Sequence, residues 1–102
     1  MLEGVLPVGS VVLLKNSRKR VMIIGFAQQQ QSSPNVVWDY AGCLYPEGYM
    51  GPDHTFLFNT EQIERIYAIG YQDEEQIAFK PKVDALLAQL RTRGEAAPEQ
   101  NH

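Results

Sequence analysis

The sequence predicts an α+β domain that is mainly β. The expected architecture is a strongly bent antiparallel sheet, or a small SH3-like open barrel, of about five strands. A short helix should precede the last strand, and an amphipathic helix should close the domain. Three observations carry this expectation. Short β-branched and aromatic runs recur between residues 11 and 71, separated by turn residues. Gly25 and the Ala41-Gly42-Cys43 stretch put small residues inside strand patterns, where a curved sheet needs a bend or a close backbone approach. After Pro81 the apolar spacing changes to that of a helix.

The elements follow in order. Residues 11–14, Val-Val-Leu-Leu, form a short strand. The polar turn Asn16-Ser17-Arg18-Lys19 leads into residues 21–26, so the two runs make a hairpin. Both are apolar on alternate and on intervening positions, so both faces need cover. Residues 28–35 hold four glutamines followed by Ser-Ser-Pro-Asn. With no apolar periodicity, they read as a mobile loop. Residues 36–45 are the longest strand candidate, and residues 55–58 follow as another strand. Asn59 then begins a helix of one or two turns, with Gln62 at the capping-box position. Residues 66–71 return to strand character.

Asp73-Glu74-Glu75 suits a helix N-terminus, and the segment that starts there divides near Lys80, because proline suits the first turn of a helix and not its interior. Val83, Leu86, Leu87 and Leu90 form the apolar stripe of a helix over residues 81–93. Gly94 suits its stop. The predicted organisation is a β-rich domain over residues 1–80, a helix over 81–93 packed on it or on a partner, and a disordered tail over 94–102.

Charge and composition narrow the function. The net charge is −3, and the only basic cluster is Lys15-Asn16-Ser17-Arg18-Lys19-Arg20, in the hairpin turn. That balance argues against nucleic acid, whose binders need a basic footprint. Cys43 is the single cysteine, so no internal disulfide is available and a reducing, cytoplasmic setting is expected. No apolar run approaches the ~20 residues that span a bilayer. No membrane insertion is expected. With His54 as the base, a hydrolase nucleophile would have to be Cys43, a serine or a threonine, and Cys43 sits in an apolar strand where a small buried thiol is common. A structural zinc site needs three or four Cys or His ligands. The chain offers one Cys and one His outside its terminus. The expectation is therefore no enzyme, no cofactor and no metal.

Residues 45–53, Tyr-Pro-Glu-Gly-Tyr-Met-Gly-Pro-Asp, are the most informative stretch. Two prolines and two glycines fix a turn path. Tyr49 and Met50 stand between the glycines, either folded back onto the sheet or presented to another protein. The candidate protein-binding residues are Tyr45, Glu47, Tyr49, Met50 and Asp53.

Several blocks occur together: Leu6-Pro-Val-Gly-Ser-Val-Val-Leu-Leu-Lys15, Val21-Met-Ile-Ile-Gly25, Trp38-Asp-Tyr40, Tyr45-Pro-Glu-Gly-Tyr49, Phe56-Leu-Phe58-Asn59 and Gly70-Tyr-Gln-Asp-Glu-Glu75. In that order they resemble a family of small uncharacterised proteins of Gram-positive bacteria, a domain of unknown function. Its members are often encoded beside type VII secretion genes and LXG-type toxins. The resemblance spans about residues 5–76. It implies a cytoplasmic accessory protein that binds a toxin or secretion component before export, as a chaperone or targeting factor. The rival readings are a toxin-neutralising immunity protein, a nucleic-acid-binding small barrel and a Cys43/His54 hydrolase. The two-faced strands and the leucine stripe also allow a homodimer.

Overall fold

The computed structural model describes residues 4–30 and 33–100, with side-chain environments described for residues 4–29 and 36–92. Five strands, β1 (Val11–Leu14), β2 (Val21–Gln30), β3 (Ser33–Leu44), β4 (Thr55–Phe58) and β5 (Ile63–Ala68), precede one helix, α1 (Glu74–Gln100). The strands form one sheet in the order β4-β3-β2-β1-β5, and every neighbouring pair is antiparallel. β4 and β5 lie at opposite ends of that order, so the sheet is open. The expected five-stranded antiparallel sheet holds, and it is not closed into a barrel.

The bend arises where the small residues predicted it. The β2–β3 register shifts between Ile23 and Gly25. A second irregularity lies between Gln29 and Gln30. The glutamine run is not the mobile loop expected. Gln28 pairs with Trp38 and Gln29 with Val37, so the hairpin extends through polar residues. Backbone hydrogen bonding does not require an apolar side chain, which is why periodicity missed it. Gln31 and Ser32 lie outside the described residues.

The last strand also departs from expectation. It starts at Ile63, directly after the 3-10 turn Thr60–Gln62, and ends at Ala68. The Gln62 side chain accepts a hydrogen bond from the Asn59 N–H at 2.8 Å, as the capping-box spacing predicts. Residues 69–71 leave the ladder because Gly70 is held elsewhere. Its N–H donates to Ser10 Oγ at 2.9 Å, and a Cβ on Gly70 would collide with the Val8 carbonyl. No side chain fits at that crossing.

Helix α1 begins seven residues before Pro81 and runs past Gly94. Its start is set by Asp73, whose side-chain Oδ1 accepts from the Gln76 N–H at 2.9 Å. Pro81 therefore sits inside the helix, where it supplies no N–H to the preceding turn. The separate tail expected from residue 94 is replaced by helix through Gln100, and Asn101 and His102 lie outside the described residues.

The helix packs on its own sheet. Val83 and Leu87 are buried, with Leu90 beside them, against Val5, Leu6, Val12, Val21, Ile23, Val37, Tyr40 and Phe58. Leu86, expected in that stripe, is exposed instead. Tyr40 is the polar pin of the core. Its hydroxyl accepts from the Leu6 N–H at 2.9 Å and from Thr60 Oγ1 at 3.4 Å. Burial of the ring pushes its pKa up, only partly offset by the hydrogen bonds from Thr60 and Leu6. No helix among the described residues is long and apolar enough to cross a membrane.

Candidate functional site

The loop over residues 45–53 leaves β3 and returns to β4. Leu44 and Gly48 form a bridge, with the Gly48 N–H donating to the Leu44 carbonyl at 2.8 Å. Gly48 and Gly51 hold φ values of 87° and 102°, which side-chain-bearing residues rarely adopt. The 3-10 turn Pro52–His54 closes the loop, and Thr55 Oγ1 donates to the Gly51 carbonyl at 3.1 Å.

The five predicted residues do not converge on one site. Tyr45 faces the β1–β2 turn, where the Arg20 guanidinium lies 5.1 Å from its ring centre. Glu47 is paired with Lys19 at 2.8 Å on the same side, and the hydrogen bond from Lys19 holds its carboxyl below the usual range. Asp53 is exposed in the 3-10 turn. Tyr49 points outward, with 63% of its surface accessible, and Met50 is exposed beside it. Tyr49 and Pro52 rim a shallow cleft of about 440 Å³ over Ile24, Ala41 and Leu57. The loop thus presents Tyr49 and Met50 on a fixed frame. It ties Tyr45 and Glu47 to the hairpin.

Cys43 is fully enclosed. His54 is exposed, beside the Thr55 that pairs with Cys43 across β3 and β4. The thiol has no open face to a substrate. Among the described residues, no three His, Cys, Asp or Glu side chains gather as metal ligands.

The larger cleft was not anticipated. It has a volume of about 550 Å³ and lies between the chain before β1 and the start of α1. Val5, Pro7, Val8 and Phe26 form one wall, and Tyr71 and Phe79 form the other. Tyr71 is 81% exposed, and Val8, Ile69, Ile77 and Phe79 expose about half of their surfaces or more. Gly70 is what brings Tyr71 to the rim, because its contact with Val8 joins the two segments. Gln76 also lines the cleft, and its Oε1 is buried with no hydrogen-bond partner among the described residues. The arrangement offers a mainly apolar concavity whose lining also carries Asp73, Glu75, Lys80 and Lys82. Ile77 and Phe79 were legible as apolar residues, but their position two residues apart does not repeat at helical spacing. Nothing in the sequence joined them to Val8.

A family model described as Domain of unknown function (DUF4176) matches residues 5–79, a segment holding all five strands and the cleft walls up to Phe79. No curated protein and no solved structure matches the chain.

Proposed function

The chain belongs to the DUF4176 family of domains of unknown function, and on that premise we propose that it is a non-catalytic protein-binding accessory module. The observation that carries this reading is the cleft beside α1. Large apolar side chains scattered singly on a surface need no explanation, but a contiguous set does. Val8, Tyr71 and Phe79 are exposed together around a concavity. A partner that inserts an apolar side chain there would remove that surface from water.

The partner we propose is a toxin exported by a type VII secretion route, bound in the cytoplasm before export. The support is the resemblance in motif order given above. Tyr49 and Met50 supply a second presented pair for the same class of partner.

The test is co-expression with an LXG-type toxin encoded beside the gene, followed by purification and titration. A stable complex is expected, weakened about tenfold or more by Tyr71→Ala or Phe79→Ala, because exposed aromatic anchors dominate interface energies. A toxin that fails to co-purify, or that binds the doubly substituted protein equally well, overturns the reading.

A further inference from the structure

A second surface, on the opposite edge of the sheet from β4, has the character of an unfinished β-sheet. Among the described residues, β5 pairs with β1 alone. Of its six residues only Ile63 is half-buried, and the other five are exposed. An edge strand in that state presents unpaired N–H and C=O groups to any extended chain.

The two faces of β5 differ in chemistry. Ile66 pairs in register with Val12, a fully buried core residue, yet remains 41% exposed. That face continues the core layer outward. Arg65 and Tyr67 share the other face, two residues apart. The Arg65 guanidinium lies 4.9 Å from the Tyr67 ring centre, and Arg20 lies 5.9 Å from the same ring and 5.1 Å from that of Tyr45. The result is an alternating row, Arg65-Tyr67-Arg20-Tyr45, running inward from the edge. Among the described residues, neither guanidinium forms an ion pair with a carboxylate. The rings hold the cations in place and leave their N–H donors free.

Charge is unevenly placed around this row. The β1–β2 turn carries Lys15, Arg18, Lys19 and Arg20 and β5 carries Arg65, against Glu64 on β5 and the flanking Glu47 and Glu61, in a chain whose net charge is −3. The local excess is cationic where the whole molecule is acidic. Charge of that sign on an open edge selects for an anionic strand.

We infer that the free edge of β5 takes an extended acidic polypeptide segment, added as a sixth strand, with a carboxylate on Arg65 and apolar side chains beside Ile66. Residues that alternate along the segment would meet the two faces, since successive side chains of a strand point to opposite sides. The occupant is therefore a stretch of alternating acidic and β-branched residues. This surface is separate from the cleft lined by Tyr71 and Phe79, and the inference stands without it.

The probe is a fluorescent peptide of about eight residues, a common strand length, alternating valine and glutamate. Its counterpart alternates valine and lysine. Binding of the glutamate peptide is expected to be at least about tenfold tighter and to weaken as ionic strength rises. Arg65→Glu should remove that preference, and Arg65→Gln should weaken it, with both variants melting as the parent does. N-methylation at alternate residues tests strand addition: one phase should abolish binding and the other should leave it intact. Tyr71→Ala should change nothing, so failure of toxin capture and failure of this inference are read separately. Equal affinity for the two peptides, no binding of either, or insensitivity to both N-methyl phases overturns the proposal. So does a protein that sediments as a dimer dissolved by Arg65→Glu, because the edge is then filled by a second copy.

Discussion

The two edges of the sheet are both short strands, yet they are finished in opposite ways. β4 is sealed. Phe58 is fully buried against Tyr40, with ring centres 5.3 Å apart. The chain that follows it is tied across the sheet by a polar network. Asn59 Oδ1 accepts from the Asp39 N–H, and Asp39 Oδ2 accepts from the Thr60 N–H, both at 2.8 Å. Arg91 reaches down from α1 to Asp39 Oδ1 at 2.7 Å and donates to the Val37 carbonyl at 3.1 Å. β5 has none of this. Its exposed side chains are steadied by guanidinium–ring contacts alone. The difference teaches that the helix ties down the chain beyond one edge strand and makes no such tie to the other.

The contrast can be broken most sharply by truncating one aromatic on each edge. Phe58→Ala removes a ring from the core and should cost about 3–5 kcal/mol. Tyr67→Ala removes a half-exposed ring from β5 and should cost no more than about 1 kcal/mol. Urea denaturation of the two variants gives both numbers. Similar losses would mean that β5 is held as firmly as β4, and the argument from an unfinished edge would fail.

Arg91→Ala tests the polar half of the contrast. It leaves the Asp39 carboxylate largely enclosed without its cation. Breaking a fully buried pair costs about 3–5 kcal/mol. The Arg91 side chain is 42% exposed against 10% for Asp39, so solvent screens part of the loss. The expected cost is about 1–3 kcal/mol. The same denaturation measurement checks it, and a loss below that of Tyr67→Ala would remove the network from the account of β4.

These edges also mark where the sequence could be read and where it could not. β1 and β4 were legible residue for residue, because short apolar runs bounded by polar turns leave one choice of limits. The Val83, Leu87 and Leu90 stripe was legible from its spacing alone. The β2–β3 extension was not, since Gln28 and Gln29 pair through their backbones. The limits of β5 were missed because Ile66, Tyr67, Ile69 and Tyr71 look alike in composition. The contact between Gly70 and Val8, which ends the strand, joins residues far apart in the chain. The same contact hid the cleft. In residues 45–53 the rigid turn path was legible and the outward direction of Tyr49 was not, because no local pattern says which side of a sheet a loop tip will face.

The smallest effect concerns the tie between the loop and the hairpin turn that flanks the β5 surface. Glu47 meets Lys19 at 2.8 Å, and that hydrogen bond lowers the carboxyl pKa in the folded protein. A depressed carboxylate pKa means that the pair contributes above the unfolded value and loses its contribution as pH falls through the folded one. The loop should therefore loosen only on strong acidification, with neutral pH well inside the range where the tie is complete. Both side chains are accessible to solvent, so Glu47→Gln should leave global stability nearly unchanged. Amide exchange over residues 45–51 is the measurement that resolves it. Faster exchange there, with β4 unaffected, is the expected result. Exchange that rises equally in β4 would show that the loop is coupled to the sealed edge, and would erase the distinction between a rigid side and an adaptable one.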